Sequence, residues 1–290
     1  NFTYGLMCDS APGSVVRGNY IGLGADGYTS LLTQLLGLEI AREASGCIVG
    51  GTGAFEGNVC SGNYGNLGGY GMSFENQTGT GFRVIGNIVG LASDGINLPS
   101  FAQAKGIFNA HTRGNMIGGT AYAERNIIAG NTMSGIEFFG AGDSANYVIG
   151  NFIGLNKNGE AAGNGTGIFI NTLGGEFIGG STADSGNVIS GNLTGISISA
   201  TPRNRVRGNI IGPDTTGNNW LAGNTQVIGV LLQGGSAANT VGGSAAGERN
   251  IISGNETYGV RITGSGTSGN VVKGNYIGPA KNGSFITGSS

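Results

Sequence analysis

A short pattern recurs nine times along the chain and constrains the fold more than any other feature. Each copy has Gly, an apolar residue, a variable residue and a second apolar residue, although one copy ends in Asn109. Each run is too short for a helix and is bounded by Gly, Asn or Ser, which indicates a β-strand. The variable residues lie 28 to 35 residues apart at Met7, Glu39, Ser73, Phe108, Glu137, Phe169, Ser197, Leu231 and Arg261.

Two further short apolar runs follow each copy, and the connection between them alternates. In one kind of unit the runs are joined by Gly-Gly and a longer turn, as at 118–126, and in the other by Gly-Asn alone, as at 150–151. The second kind ends in a long polar loop, as at 155–165. Three short strands can bury their apolar side chains by coiling once and stacking on the next coil. We therefore predict an all-β fold, a right-handed, single-stranded parallel β-helix (a solenoid) of about nine coils of roughly 32 residues.

The alternation inside the first strands predicts two columns of inward side chains. The first column contains Leu6, Leu38, Met72, Ile107, Ile136, Ile168, Ile196, Val230 and Val260. The second contains Cys8, Ile40, Phe74, Phe138, Ile170, Ile198, Leu232 and Ile262, and Asn109 breaks it. Residues 30–44 alone have the pattern of an amphipathic helix, but the run Gly37 to Ile40 falls at the repeat spacing and predicts a strand. The asparagines of the Gly-Asn corners are expected to hydrogen-bond from coil to coil.

Composition excludes several classes of protein. The 62 glycines stand at fixed places beside the strands, which indicates corners and not disorder. The net charge is −2, and no basic run is longer than the alternating Arg203, Arg205 and Arg207, so a nucleic-acid partner is not expected. No apolar run is long enough to span a bilayer, so we expect no membrane insertion by this segment. Because solenoid ends need covering, we expect residues 1–290 to be a single β-helix domain and a fragment of a longer chain.

The three cysteines fall on strand positions. Cys8, Cys47 and Cys60 are expected to be small buried side chains, although a disulfide between Cys47 and Cys60 stays open. The chain has a single histidine and no paired ligand spacing, so we predict neither a metal nor a cofactor. Sequons such as the one at Asn164 leave glycosylation open.

The runs ERNIISGN at 248–255, GVRI at 259–262 and NVVKGNYIG at 270–278 resemble the right-handed parallel β-helix repeat proteins of the pectate-lyase-like class. The resemblance is greatest to large secreted bacterial surface proteins and exoproteins, and it covers essentially the whole chain. It implies an extracellular or cell-surface location, in a bacterium or a phage, and an association with polysaccharides. Phage tail fibres share the architecture. The signature runs of the polygalacturonases and alginate epimerases are absent from this sequence.

One cluster of ionisable residues could support catalysis. Glu75, His111, Arg113, Glu137 and Asp143 are predicted to lie on three successive coils. A general base beside a cation is the arrangement needed to abstract a proton next to a uronate. The alternative is that these residues are solvated charges in turns.

A second predicted site is a ligand-binding surface. Phe108 and Phe169 flank Glu137 on the outward side of the first strands, and Leu231 continues the stripe. Such residues could stack on sugar rings or mediate association, unless loops cover them. Arg205 and Arg207 could contact an acidic glycan or form a solvated face.

The leading hypothesis is a non-catalytic secreted or cell-surface β-helix, which serves as a stalk, fibre or adhesin and presents a sugar-binding or self-associating face. The second hypothesis is a polysaccharide lyase or glycoside hydrolase that acts in the groove over the first strands. The third is a protein that forms filaments or a phage tail fibre.

Overall fold

The chain forms a parallel β-solenoid in the computed structural model, which describes residues 3–32, 34–64, 69–75, 80–182 and 184–286. Three sheets of nine parallel strands run along the solenoid, and each successive strand of a sheet comes from the next coil. The predicted all-β parallel β-helix is therefore confirmed.

Each coil contributes one strand to each sheet. The first sheet contains Tyr4–Asp9, Leu36–Ala41, Tyr70–Glu75, Lys105–Ala110, Ser134–Gly140, Thr166–Thr172, Thr194–Ser199, Ile228–Gln233 and Tyr258–Ile262. The second contains Val15–Val16, Ile48–Gly50, Arg83–Ile85, Met116–Gly118, Tyr147–Ile149, Phe177–Ile178, Arg205–Val206, Thr240–Gly242 and Val271–Lys273. The third contains Tyr20–Ile21, Val59–Cys60, Ile88–Val89, Ile127–Ile128, Phe152–Ile153, Val188–Ile189, Ile210–Ile211, Ile251–Ile252 and Tyr276–Ile277. Two single-turn 3₁₀ helices occur, at Tyr122–Glu124 and Ala246–Glu248.

The solenoid makes about eight turns, one fewer than the nine coils predicted. The first-sheet strands that begin at Tyr4 and Tyr258 are eight steps apart, which gives about 32 residues per turn. We number the coils 1 to 9 by their first-sheet strands, since all nine predicted copies of the repeat form strands.

Both predicted columns of inward side chains are confirmed by the strand register. Ile136 pairs with Ile168, which pairs with Ile196, and Asn109 stands between Phe74 and Phe138 in the second column. The columns are buried except toward the two ends of the solenoid. They join the inward residues of the other sheets in one continuous apolar core. The strand predicted at Gly37 to Ile40 is also present, within Leu36–Ala41.

A ladder of nine asparagines fills the corner before the third sheet, and we call it the third-sheet ladder. In it, Asn126 Nδ2 donates to Asn151 Oδ1 at 2.9 Å and to the carbonyl of Val84 at 2.7 Å. The ladder contains Asn19, Asn58, Asn87, Asn126, Asn151, Asn187, Asn209, Asn250 and Asn275. The coil-to-coil bonding predicted for the Gly-Asn corners is confirmed.

A less regular series occupies the corner before the second sheet, and we call it the second-sheet series. From coil 2 onward its members are Cys47, Phe82, Asn115, Asn146, Glu176, Asn204, Asn239 and Asn270, and Ser14 stands at this corner on coil 1. Cys47 and Cys60 are buried free thiols and Cys8 is a half-buried one.

Connections alternate between odd and even coils. On odd coils a long loop follows the third strand, whereas on even coils a longer turn precedes it. The long loops contact one another across two coils, since Ser93 N donates to the carbonyl of Gly27 and Lys157 N to that of Gly95, each at 2.9 Å. Within the described ranges, no helix is both long and apolar enough to cross a membrane.

Candidate functional site

A groove runs along the outer surface of the third sheet, and we call it the third-sheet groove. The turns of the even coils form one wall and the long loops of the odd coils form the other. Turns on one wall follow each other every second coil, about 10 Å apart. The floor consists of the outward residues of the sheet, which are Tyr20, Val59, Ile88, Ile127, Phe152, Val188, Ile210, Ile251 and Tyr276. Tyr20, Phe152 and Tyr276 are the aromatic residues of this floor.

Three cavities lie in a row in the groove. The first, over coils 1 to 4, has a volume of about 610 Å³ and a floor of Tyr20, Val59 and Ile88. The second has a volume of about 350 Å³ and lies over Phe152 and Val188. The third has a volume of about 470 Å³ and extends to the loop of coil 9. The row therefore offers an elongated binding surface.

The walls of the first cavity carry two very exposed aromatic rings. Phe55, in the turn of coil 2, is 95% exposed, and Tyr122, in the turn of coil 4, is 77% exposed. Tyr122 also lines the second cavity. A flat ring with both an apolar face and access to solvent is suited to stacking on a sugar.

The other two cavities carry cations. Arg125 and Lys157 line the second, and Arg249 and Lys281 line the third with Arg125. Arg125 Nε donates to the carbonyl of Gly150 at 3.0 Å, and its guanidinium lies 4.0 Å above the Phe152 ring. Burial lowers the pKa of Arg125, although an arginine remains charged at neutral pH.

The long loops are anchored beside this floor. Leu155 and Leu221 are buried and form a second apolar cluster with Phe152 and Val188. Because the loops pack on the sheet, the groove wall is a fixed surface.

Glu137, a predicted catalytic residue, is paired with a cation that the sequence prediction missed. It is 7% exposed, and its carboxylate accepts hydrogen bonds from Lys105 Nζ at 2.8 Å and Ser134 Oγ at 3.0 Å. Lys105 also lies 4.7 Å above the Phe108 ring.

The other four predicted catalytic residues lie apart. His111 and Arg113 are exposed in the turn after the first strand of coil 4, and Glu75 is exposed one coil earlier. Asp143 is buried inside the solenoid, where it accepts hydrogen bonds from the backbone N–H of Thr112 at 2.6 Å and of Phe139 at 3.0 Å. Burial raises the pKa of Asp143 to about 7. Within the described part of the chain, no hydrogen bond or ion pair joins any two of the five predicted residues.

A different group of acids lies on the outer face of the first sheet. Glu39 occupies coil 2, with Asp9 on the preceding coil and Glu75 on the following one. Burial, with added repulsion from Glu75 and Asp9, raises the pKa of Glu39, and Arg42 opposes the shift. Glu39 Oε2 is buried without a hydrogen-bond partner, whereas Arg42 pairs with Asp9 at 2.5 Å.

The predicted ligand-binding residues divide between two sheets. Phe108 is buried and lies 5.2 Å from the Tyr70 ring, while Phe169 and Leu231 are half-buried on the same outer face. Phe108 is thus not the exposed aromatic that was expected, because neighbouring side chains cover it. Arg205 is exposed over the second sheet, and Arg207 pairs with Glu248 at 2.9 Å. Their part in binding stays a prediction.

In comparisons with protein-family models, curated proteins and solved structures, no match to the chain was found. The parallel β-solenoid is established by the strand register. The resemblance to the pectate-lyase-like class and to secreted surface proteins stays a prediction.

Proposed function

We propose that the chain is a non-catalytic carbohydrate-binding solenoid that holds an extended polysaccharide in the third-sheet groove. In this proposal it is part of a secreted or cell-surface stalk, fibre or adhesin. The observation that carries the proposal is the row of three cavities along one face of the solenoid.

The length of the groove favours a polymer as ligand. From coil 1 to coil 9 the floor extends about 38 Å at the spacing of parallel strands. A small molecule would fill one cavity, whereas a linear chain could contact all three. Rigid walls limit the conformational entropy lost on binding.

The character of the walls favours a sugar. Phe55 and Tyr122 present exposed rings, and Tyr20 adds a half-exposed ring on the floor. Asn158 and Thr215 line the second cavity with accessible polar side chains that can pair with hydroxyl groups. Apolar ring faces combined with dispersed polar groups suit the two kinds of surface that a pyranose offers.

The test is binding to a panel of neutral and acidic polysaccharides, measured by affinity electrophoresis and calorimetry. The Phe55→Ala/Tyr122→Ala double variant is expected to bind at least about tenfold more weakly, because stacking contacts are typically worth about 1 kcal/mol or more each. Phe139→Ala is the matched control, since Phe139 is an exposed aromatic on the first sheet. Failure of the native chain to bind any polysaccharide, or equal binding by the double variant and the control, contradicts the proposal.

A second candidate function is glycoside hydrolysis over the first sheet, which the environment of Glu39 favours. A buried carboxyl whose pKa is raised and which stands beside other carboxyl groups resembles the general acid of a glycosidase. In that reaction Glu39 would donate a proton to the glycosidic oxygen, and Asp9 or Glu75 would activate water or attack the sugar. New reducing ends released by the native chain but not by Glu39→Gln would support hydrolysis. Their absence from every polysaccharide in the panel would exclude this second candidate for the panel tested.

A further inference from the structure

Four cations in the third-sheet groove form two equivalent pairs. Arg125 in the turn of coil 4 and Lys157 in the loop of coil 5 line the second cavity. Arg249 in the turn of coil 8 and Lys281 in the loop of coil 9 line the third. The pairs are four coils apart, about 19 Å at the spacing of parallel strands.

The cation pairs come from two positions of the repeat, one in the turns of the even coils and one in the loops of the odd coils. The wall position before the ladder asparagine is occupied by Gly57, Arg125, Gly186 and Arg249 on the four even coils. The matching loop position is occupied by Ala25, Ser93, Lys157, Thr215 and Lys281 on the odd coils. Cations therefore face each other across the groove only at coils 4 and 5 and at coils 8 and 9.

None of these four cations forms an ion pair with a described residue. Arg83 and Arg207, on the second-sheet side of the same turns, are paired with Glu124 at 2.6 Å and Glu248 at 2.9 Å. The turn glutamates are thus engaged on the side away from the groove. Asp184, in the turn of coil 6, is the one carboxylate among the described residues that lines the second half of the groove together with these cations.

Both arginines are held in the same orientation. Arg249 Nε donates to the carbonyl of Gly274 at 3.1 Å, and its guanidinium lies 4.2 Å above the Tyr276 ring. Arg125 makes the equivalent contacts with Gly150 and Phe152. Since Nε is occupied, each guanidinium retains its terminal N–H groups for an acceptor, and the stacked ring fixes its plane.

From this charge pattern we infer that the groove selects an anionic polysaccharide, and that its carboxylate or sulfate groups bind at the two cation pairs. The inference rests on the proposed function and adds the class of ligand. Two binding points on one rigid wall also favour chains long enough to reach both, because the second contact is then intramolecular.

A nucleic acid would carry the same sign of charge, but this surface suits it less. The floor beneath the third cavity consists of Val188, Ile210 and Ile251, which offer no aromatic ring on which bases could stack. The whole chain is also acidic, with a net charge of −2. Single-stranded DNA therefore serves as a competing probe.

The experiment measures affinities for polygalacturonate, dextran sulfate, neutral dextran and single-stranded DNA at low and moderate salt. We expect Arg125→Ala/Arg249→Ala to bind the better of the two anionic polysaccharides at least about tenfold more weakly, with little change for dextran. The preference between polygalacturonate and dextran sulfate identifies the anionic group. Arg203→Ala is the control, because it removes an arginine charge from an exposed site outside the groove. Thermal unfolding of each variant verifies that the solenoid is intact.

The outcomes separate this inference from the proposed function. If the arginine double variant binds anionic polysaccharides as well as the Arg203→Ala control does, the inference is overturned, while loss of binding in the aromatic double variant would still support the groove. Tighter binding of DNA than of either anionic polysaccharide also overturns it. A native chain that binds no polysaccharide overturns both proposals.

Discussion

The two asparagine corners of the solenoid occupy equivalent places in the repeat but differ in regularity. The third-sheet ladder has asparagine at all nine positions, and each amide both donates to and accepts from its neighbours along the stack. The second-sheet series begins with Cys47 and Phe82 and has Glu176 in its middle. The comparison shows how much of the solenoid depends on side chains that can donate and accept at once.

Glu176 is the point where the second-sheet series is broken. Its Oε2 accepts from the backbone N–H of Asn146 at 2.9 Å, but its Oε1 has no partner and a carboxylate has no proton to donate toward Asn204. Burial raises the pKa of Glu176 to about 8, and the nearby Asp143 adds to the shift. This otherwise neutral corner thus contains one buried acid with a raised pKa, and a second, Asp143, lies near it.

The regular corner is also the one that supports the candidate site. Arg125 and Arg249 directly precede the ladder residues Asn126 and Asn250. Because each ladder amide is bonded on both sides, the backbone that carries these arginines is fixed from within. Regularity inside the solenoid therefore sets the spacing of charges outside it.

The largest effect is expected from breaking the regular ladder with Asn126→Ala. This change leaves the backbone N–H of Asn87 and the carbonyl of Val84 without these partners inside the solenoid. Each unsatisfied buried group costs about 1 to 3 kcal/mol, so a loss of about 4 kcal/mol is expected. Urea denaturation measures it, and Asn158→Ala, in an exposed loop position, is the control. A loss no greater than that of the control would show that the ladder contributes little.

The stability of the folded chain is also expected to depend on pH, because two buried acids lie in and near the second-sheet series. Asp143 and Glu176 have folded-state pKa values of about 7 and about 8, above their ordinary values of 3.8 and 4.5. Between these limits the folded chain binds more protons than the unfolded chain, so stability falls as pH rises from about 4 to about 8. We expect a loss of about 2.5 kcal/mol between pH 5 and pH 6, where both folded-state carboxyls are still mostly protonated, measured by urea denaturation.

Glu176→Gln is the variant that isolates this effect. A glutamine keeps the size of the side chain and supplies an N–H donor, so stability at pH 9 should rise and the pH dependence should become shallower. At pH 5, where the glutamate is protonated, native and variant chains should differ little. If the free energy of unfolding of the variant depended on pH as that of the native chain does, Glu176 would not contribute to the loss of stability at high pH.

The smallest effect is expected at the start of the irregular corner. Cys47 makes only long sulfur contacts, the shortest 3.5 Å to the carbonyl of Ala11. Cys47→Ala should therefore cost about 1 kcal/mol, mainly through lost packing. Equilibrium unfolding of Cys47→Ala and Asn126→Ala compares the two corners directly. If both variants lost the same free energy of unfolding, the two corners would not differ in their contribution to stability.

Sequence alone predicts the fold and the interior columns well, because identical side chains must recur once per coil. The spacing of the repeat predicts that Ile136 pairs with Ile168. It also predicts that Asn109 interrupts the second column of apolar side chains. The position of Asp143 does not follow, since a charged residue in a turn is normally solvated. Here the carboxyl instead satisfies two backbone N–H groups inside the solenoid.

The candidate groove could be predicted only in part. The outward placement of Tyr20 and Phe152 follows from the third strands, but the walls depend on how long loops fold back over the sheet. Arg125 and Lys157 meet across the groove because a turn and a loop from successive coils flank the same strands. The recurrence of Arg-Asn at 125–126 and 249–250 was the available signal in the sequence.

The loop contacts that skip one coil determine how such a chain can change in length. The backbone N–H of Ser93 is hydrogen-bonded to Gly27, and that of Lys157 to Gly95. In each case the two loops are separated by a coil that has no long loop. Deleting a single coil would place a loop directly against a turn-bearing neighbour and shift one wall against the other. Deleting or duplicating two adjacent coils would preserve every such contact, so the elementary module for growth, shortening or engineering of this solenoid is the coil pair.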